Sequence, residues 1–443
     1  MRPFFYKPLF IGILFAFLVG LSGDKASAVE IQRIKSKGGI EAWLVEDHIN
    51  PIISVKISFR GGGALDPKGK EGLAAMAAGL LDEGAGPIDS QAFRQELEDN
   101  GITLRFDAGR DSFSGTLKTL SENRDRAFHL LSLALTQPWF DEEPVKRVRE
   151  QILANLRHEK EDPQSIVSDT LLKTVFAGHA YARNPDGTKE GVSAITIDDL
   201  KIFAGTRLAK DNLVIGVVGD IKAEALARLL DKTFGALPAT ALPWALPEVK
   251  VQVGHSAEVV VEKEIPQSVF VMASEGVKRK DPDYYAAVLV NHVLGGGGFS
   301  SRLYEEVRER RGLAYSVYSA ISPLAHGALV LAGGGTTNAS VPETLKIIRA
   351  EWKRMGKDGV SASELRQAKT YVTGAFPLRF VSSGAVAGIL VGMQVHELGI
   401  DYLEKRNDYI ASVTLDDARR VARRLFGGGA PQTVIVGQPG PPS

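Results

Sequence analysis

The sequence predicts the α+β fold class, with two related halves that each contain one sheet and helices packed on one face. The first observation is an internal repeat, because a shift of 211 residues places Gly101 on Gly312 and matches about sixty residues without a gap. The second is a proline-rich, almost uncharged segment at 236–250, whose composition is typical of an extended linker. Together they predict a first domain over 29–235 and a second domain over 251–443.

Hydrophobic periodicity places the elements within each half. Residues 53–59 alternate between apolar and polar side chains before a glycine run, which predicts a strand. Apolar runs at 213–218 and 433–436 predict buried strands that close the two halves. Helical patterns predict helices in the first half at 71–82, 90–99, 123–136, 142–160 and 164–177. In the second half we expect a strand at 328–331, followed by a turn at Gly333–Gly335.

The N-terminus has the pattern of a secretory signal peptide over residues 1–28. Arg2 and Lys7 form a positive start, residues 8–21 form an apolar run too short to span a bilayer comfortably, and a small-x-small site ends at Ala28. We predict cleavage after Ala28, and the alternative is an uncleaved anchor. The mature chain has a net charge of 0 − 3 + 1 = −2. It is expected to be periplasmic or secreted, with no membrane attachment.

The composition excludes several classes of function. With 53 basic and 53 acidic residues, the net charge of zero argues against nucleic-acid binding through bulk charge. The chain contains no cysteine, which excludes disulfides, thiolate metal sites and cysteine nucleophiles. No two of its 8 histidines lie close together, and the motifs H-E-x-x-H, H-x-x-E-H and G-x-S-x-G are absent. Residue chemistry alone therefore identifies no self-contained active site.

Four segments carry a family resemblance, namely GLAAMAAGLLDEGAG at Gly72–Gly86, Phe140–Leu156, His179–Thr188 and NHVLGGGGFSSRLYEEVRERRGLAYSV at Asn291–Val317. They resemble the pitrilysin/insulinase family of zinc metallopeptidases (inverzincins), particularly short two-domain members similar to mitochondrial processing peptidase. The resemblance implies two homologous α/β sandwich domains, each with a mostly antiparallel mixed sheet and helices on one face.

The zinc site of that family is degenerate in this sequence. The resemblance places the two histidine ligands of H-x-x-E-H on Ala75 and Gly79, and the general-base glutamate on Ala78. The third ligand, a glutamate in the family, falls on Asn155, and an accessory glutamate falls on Val148. Alanine and glycine can neither coordinate a metal nor move a proton, and one neutral asparagine does not hold zinc. We therefore expect no zinc in this chain.

A second family element is present. Active members supply an arginine and a tyrosine that contact the substrate and steady its carbonyl, and these fall on Arg308 and Tyr315. Guanidinium and phenol groups can both donate to a carbonyl oxygen that gains negative charge. The alternative for Arg308 is a solvated helix surface, since it lies in the run RERR. Against this, the repeat places Leu97 and Leu104, two apolar residues expected to face inward, at the matching positions.

The run Gly295, Gly296, Gly297 and Gly298 has two interpretations. It is either a helix end with a tight turn or a flexible, substrate-binding loop like that of some non-catalytic family subunits. The sequence does not separate them. His179 and His292 are expected to be structural.

The resemblance implies a non-zinc subunit of a heterodimeric zinc metallopeptidase, with Arg308 and Tyr315 serving a homologous partner that carries H-x-x-E-H and the zinc. Peptides are then the substrate. The alternative is a catalytically inactive homologue that acts as a scaffold or peptide-binding protein. A third, weaker possibility is peptide cleavage by this chain alone through unrecognised chemistry.

Overall fold

The computed structural model describes residues 30–252 and 258–440, so the predicted signal peptide lies outside the described part of the chain. Two mixed sheets form its centre. The first sheet has the order β1-β2-β6-β3-β5-β4 and contains β1 (Gln32–Lys35), β2 (Glu41–Glu46), β3 (Ile52–Arg60), β4 (Thr103–Ala108), β5 (Ser112–Leu120) and β6 (Leu213–Gly219). The second has the order β7-β11-β8-β10-β9 and contains β7 (Glu258–Glu262), β8 (Gln267–Glu275), β9 (Ala314–Pro323), β10 (Ala328–Thr337) and β11 (Gln432–Gly437).

The two sheets share one plan. In each sheet, the last strand of that half of the chain pairs in parallel with an earlier strand. The pairs are β6 with β2 in the first sheet and β11 with β7 in the second. The other pairings are antiparallel. The expected α+β fold with two mostly antiparallel mixed sheets is thereby confirmed.

Helices cover these sheets and bury two large apolar clusters. The first half contributes α1 (Leu73–Ala78), α2 (Ser90–Asp99), α3 (Arg124–Thr136), α4 (Glu142–Glu159), α5 (Pro163–Val175), α6 (Lys189–Ala194), α7 (Ile197–Arg207) and α8 (Ala223–Phe234). The second contributes α9 (Tyr284–Asn291), α10 (Val341–Asp358), α11 (Ala362–Gly374), α12 (Ser383–Val395), α13 (Tyr402–Ser412) and α14 (Leu415–Phe426). The helix predicted over 71–82 is shorter than expected, because Gly72 before it has φ +100° and the chain leaves helical geometry at Gly79.

The two halves exchange one helix each. The helix α12 packs on β3 and β6 of the first sheet, while α5 packs on β8 and β11 of the second. A side chain at Gly216 would place its Cβ 2.7 Å from the carbonyl oxygen of Ala387, so glycine lets α12 approach the sheet. Gln394 Nε2 also donates to the carbonyl of Ile215 at 2.9 Å. Each sheet is therefore completed by the other half of the sequence.

No single helix in the described residues is long and apolar enough to cross a membrane. One bent pair, 362–380 with 383–395, meets the length and composition criteria with a 118° bend. Its second member is α12, which lies on the first sheet.

The internal repeat is visible in the backbone. Gly101 and Gly312, 211 positions apart, have φ +59° and +61°, and each precedes an edge strand. The correspondence ends in the following hairpin, since β10 begins 216 residues after β5 (328 − 112). The hairpin of the second half is therefore five residues longer (216 − 211).

The turn expected at Gly333–Gly335 is wrong, because β10 continues through these residues. A Cβ on Gly333 would lie 2.9 Å from Tyr318 Oη, and one on Gly334 would lie 2.6 Å from the carbonyl oxygen of Ser316. Gly333 and Gly334 thus allow close approach within the sheet and do not reverse the chain.

Candidate functional site

The structure brings Arg308 and Tyr315 together at the start of β9. Arg308 Nη1 donates a hydrogen bond to the carbonyl oxygen of Tyr315 at 3.1 Å. The guanidinium carbon also lies 4.3 Å from the centre of the Tyr315 ring and 4.9 Å from that of Tyr304. Cation–π contacts to both rings fix the orientation of the guanidinium.

Tyr315 occupies a β-bulge at the edge of the second sheet. On β10, Gly335 pairs with Ser316 and Thr336 pairs with Ala314, so Tyr315 is the extra residue. A bulge re-aims a side chain that regular alternation would turn to the other face. The matching residue of the first half shows the difference, because Leu104 is 4% exposed whereas Tyr315 is 82% exposed. The bulge therefore presents the phenol to solvent.

Arg308 differs from the other arginines of its helical segment. Arg310 forms ion pairs with Glu305 at 3.0 Å and Glu306 at 2.9 Å, and Arg311 pairs with Glu306 at 2.7 Å. Arg308 forms no ion pair within the part of the chain that the structure describes. The solvated-surface interpretation therefore suits Arg310 and Arg311, while Arg308 keeps an uncompensated positive charge.

The segment that carries Arg308 is π-helical over Tyr304–Glu309, and the amide of Arg310 donates to the carbonyl of Glu305 five residues before it. The matching helix of the first half, α2, is an ordinary α-helix. Short π-helical turns are uncommon and occur frequently at functional sites, because the wider turn changes where side chains point.

Two further aromatic residues, which sequence reasoning missed as site members, complete the arrangement. Phe299 is 78% exposed, and its ring meets that of Tyr304 edge-on at 4.9 Å. We call Phe299, Tyr304, Arg308 and Tyr315 the aromatic patch. No sequence pattern singles out Phe299, because an isolated exposed apolar residue is common on protein surfaces.

The glycine run divides into two parts. Gly295 and Gly296 end a π-helical turn after α9, and a Cβ at any position of Gly295–Gly297 would lie 2.5–2.7 Å from neighbouring atoms. Gly298 has φ +55°, and a Cβ at this position would meet no neighbouring atom within 4 Å. The first three glycines are thus required by packing, while Gly298 forms the open turn beside the aromatic patch.

The positions that the resemblance assigns to the zinc site lie where α1 packs on α4. Ala75 and Ala78 are on α1, and a Cβ on Gly79 would lie 3.0 Å from Val148 Cγ1. Asn155 is exposed on α4, and its Oδ1 accepts a hydrogen bond from Gln151 Nε2 at 2.9 Å.

These positions provide apolar packing and one amide, so the residues present do not fit a zinc ion. Across 30–252 and 258–440 there is no group of three or more histidine or carboxylate side chains placed to hold a metal.

A buried carboxyl group, that of Asp66, accepts hydrogen bonds at the N-terminal end of α1. Asp66 accepts hydrogen bonds from the amides of Gly72 at 2.9 Å and Ala74 at 3.1 Å, at the start of the helix. Burial raises the pKa of Asp66 from its ordinary 3.8 to about 7, against the opposing effect of these amides.

Because its pKa is raised, Asp66 should make the free energy of unfolding depend on pH. The folded state holds the Asp66 proton more tightly than the unfolded chain, so its contribution is complete below pH 4 and is lost as the pH rises toward 7. At 1.36 kcal/mol per pKa unit, the loss is at most about 4 kcal/mol. The free energy of unfolding, measured with urea, should fall between pH 4.5 and pH 7.5 in the unmodified chain. In Asp66→Asn this fall should be smaller. Asp125→Asn, at an exposed carboxylate, is the control; an equal decrease in both variants would contradict the assignment.

The His179 segment is structural, as expected. His179 Nδ1 accepts from the amide of Tyr181 at 3.1 Å, and Nε2 lies 3.1 Å from the carbonyl of Pro247. The fully buried Tyr181 then donates its hydroxyl to Asp111 Oδ1 at 2.6 Å and accepts from the amide of His326 at 3.0 Å. This chain of contacts joins the first half to the β9–β10 hairpin.

Two repeated mixed sheets with packed helices, and a paired arginine and tyrosine at the edge of the second sheet, define a two-domain, peptidase-like protein. Comparison with known families agrees. The family described as insulinase (peptidase family M16) matches residues 42–189, and that described as peptidase M16 inactive domain matches 194–372. The chain belongs to the insulinase family, peptidase family M16, and is an inactive homologue within it.

The chain is similar both to a relative named a non-peptidase homolog and to relatives named zinc proteases. A protein of Helicobacter pylori named non-peptidase homolog YmxG is 30% identical over 376 residues, which cover 84% of this chain and 85% of that protein. An uncharacterized zinc protease of Streptomyces coelicolor is 31% identical over 311 residues, covering 68% and 67%.

Among solved structures, a peptidase M16 inactive domain from Pseudomonas fluorescens is 28% identical with a TM-score of 0.84, covering 93% of this chain and 98% of that one. A protease from Helicobacter pylori shares the fold at 21% identity, with a TM-score of 0.82 and coverage of 92% and 99%.

Proposed function

We propose that this chain is the non-zinc subunit of a heterodimeric zinc metallopeptidase. A homologous partner with H-x-x-E-H would carry the zinc and the general base, and this chain would supply Arg308 and Tyr315. The observation that carries the proposal is the uncompensated, ring-stacked Arg308 beside the exposed, bulge-presented Tyr315. A surface that contacts only water requires neither the ring contacts of Arg308 nor the bulge at Tyr315.

The chemistry of the pair suits a peptide carbonyl. Arg308 uses one N–H group on the carbonyl of Tyr315 and keeps the remaining N–H donors of its guanidinium. These and the Tyr315 hydroxyl can donate to the scissile carbonyl oxygen, whose negative charge grows in the transition state. The peptide would be extended and held by main-chain hydrogen bonds along a sheet edge.

The same proposal includes location and organisation. The predicted signal peptide, cleaved after Ala28, would export the chain to the periplasm or the medium. The predicted domains at 29–235 and 251–443, joined by 236–250, would form one side of a chamber around the peptide.

A mixing experiment tests the heterodimer. The chain, an exported homologous H-x-x-E-H protein of the same organism, and their mixture are each incubated with zinc and a quenched fluorescent peptide library. Cleavage that appears or rises sharply only in the mixture, together with co-elution, is expected. No gain on mixing and no co-elution would contradict the proposal.

A second function is an inactive scaffold or peptide-binding protein. It is favoured by the similarity to a relative named a non-peptidase homolog and by the apolar packing of Val148 against Gly79. Binding of uncleaved peptides by this chain alone, without activity in any mixture, would support this function over the heterodimer.

A further inference from the structure

A cavity of about 300 Å³ lies among the helices of the second half, and none of the residues that line it belongs to the aromatic patch. It opens between α9, α11, α13 and a short 3₁₀ turn at Phe376–Phe380. Three arginines line it, Arg279, Arg379 and Arg406. We call it the arginine pocket. Its volume is at the lower end of the range for small-molecule sites.

The charges of the arginine pocket are uncompensated. Its lining, all within the described residues, includes no aspartate or glutamate, and none of Arg279, Arg379 and Arg406 forms an ion pair with a described carboxylate. Nearby arginines behave differently, because Arg424 pairs with Asp281 at 2.7 Å. Three guanidinium groups around one cavity repel one another, and an anion between them would remove that repulsion.

Aromatic groups, not carboxylates, contact Arg279 and Arg406. The guanidinium of Arg279 lies 4.1 Å from the centre of the Tyr284 ring and donates to Tyr402 Oη at 2.8 Å. That of Arg406 lies 3.8 Å from the centre of the Phe376 ring. Neutral phenol and ring contacts orient a guanidinium without neutralising it. These two guanidinium groups are therefore oriented while their charge remains available.

The pKa shifts of two groups in this region are consistent with an uncompensated positive charge. It lowers the pKa of Arg406, and the charge of Arg379 acts in the same direction. Burial likewise lowers the pKa of the neighbouring His396, and the charge of Arg279 adds to it. The positive potential of the region is thus felt by more than one group.

We propose that the arginine pocket binds a small organic anion, with a carboxylate or phosphate group attached to a flat apolar ring. The guanidinium groups match an oxyanion through their paired donors, and the aromatic walls match the ring. An inorganic ion would use only the first of these features. The site is independent of Arg308 and Tyr315, so it stands whether or not the heterodimer forms.

Calorimetric titration of the full chain tests the site with benzoate and phenyl phosphate as probes. Benzamide, the uncharged analogue of benzoate, and inorganic phosphate are the comparison ligands. Both probes should bind at least tenfold more tightly than either comparison ligand. Equal binding of benzoate and benzamide would overturn the proposal.

Substitutions locate the binding. Arg406→Gln and Arg379→Gln should each weaken phenyl phosphate binding at least tenfold, while Arg366→Gln, at an exposed arginine of α11 outside the cavity, should leave it unchanged. Arg379 is exposed, so its variant keeps the test valid if Arg406→Gln fails to fold. Equal binding by the unmodified chain and both pocket variants would refute the site.

A carboxylate on a ring has two sources, a free aromatic acid or the C-terminus of a peptide that ends in an aromatic residue. A short peptide ending in phenylalanine, compared with its C-terminal amide, separates them. Tighter binding of the free-acid peptide than of benzoate assigns the peptide end, and weaker binding assigns the free acid.

Discussion

Replacing Arg308 with alanine is expected to lower kcat/KM of the mixed complex by about 10²–10³-fold, equivalent to about 3–4 kcal/mol of transition-state stabilisation. The reason is that, in the proposed function, the variant loses an oriented cation whose donors would face the developing oxyanion. Tyr315→Phe should cause a smaller decrease, expressed mainly in kcat, since it retains the ring on which Arg308 stacks and removes only the hydroxyl. Initial rates over a range of peptide concentrations separate kcat from KM.

The neighbouring Arg310 provides the matched control for this experiment. It lies in the same helical segment but is paired with Glu305 and Glu306, so Arg310→Ala removes the same charge without touching the aromatic patch. Its effect on kcat/KM should be less than about threefold, as for an exposed ion pair. Unchanged activity in Arg308→Ala, with co-elution retained, would remove Arg308 from the catalytic assignment. An equal loss in both variants would indicate a general charge effect.

Replacing Tyr181 with phenylalanine is expected to reduce the free energy of unfolding by about 1–3 kcal/mol, because a partly buried amide and a carboxylate oxygen lose their partner together. The hydroxyl bridges Asp111 and His326, which belong to different halves of the chain. Burial, followed by the hydrogen bond to Asp111, raises the pKa of Tyr181, so the hydroxyl remains a donor throughout the neutral range.

Urea unfolding followed by circular dichroism measures the change. Tyr318→Phe is the control, because this tyrosine is 46% exposed and its hydroxyl lies near Gly333 rather than in a buried network. Equal midpoints for Tyr181→Phe and the unmodified chain would show that the bridge contributes nothing to stability.

Several features followed from the sequence because local chemistry determines them. The helix predicted over 90–99 has those limits in the structure, since Asp89 accepts from the amide of Ala92 at its start and the chain turns at Gly101. The repeat was visible because Gly101 and Gly312 both adopt a positive φ that other residues avoid.

Other features depend on partners that are distant in sequence. The bulge at Tyr315 arises from the register between β9 and β10, which no local pattern specifies. For the same reason Gly333–Gly335 resembled a turn, although the close approach of Tyr318 and Ser316 explains the glycines within a strand. Phe299 and Tyr304 were missed because their roles depend on packing around Arg308.

The exchange of α5 and α12 has a consequence for how the chain is made. The last strand of the first sheet ends at Gly219, but the helix that lies on that sheet begins at Ser383, 164 residues later (383 − 219). The strands of the first sheet can therefore all be present while one face of that sheet still lacks its helix, whether the chain folds during synthesis or after export. A chain truncated between the halves would leave one face of its sheet open and prone to association.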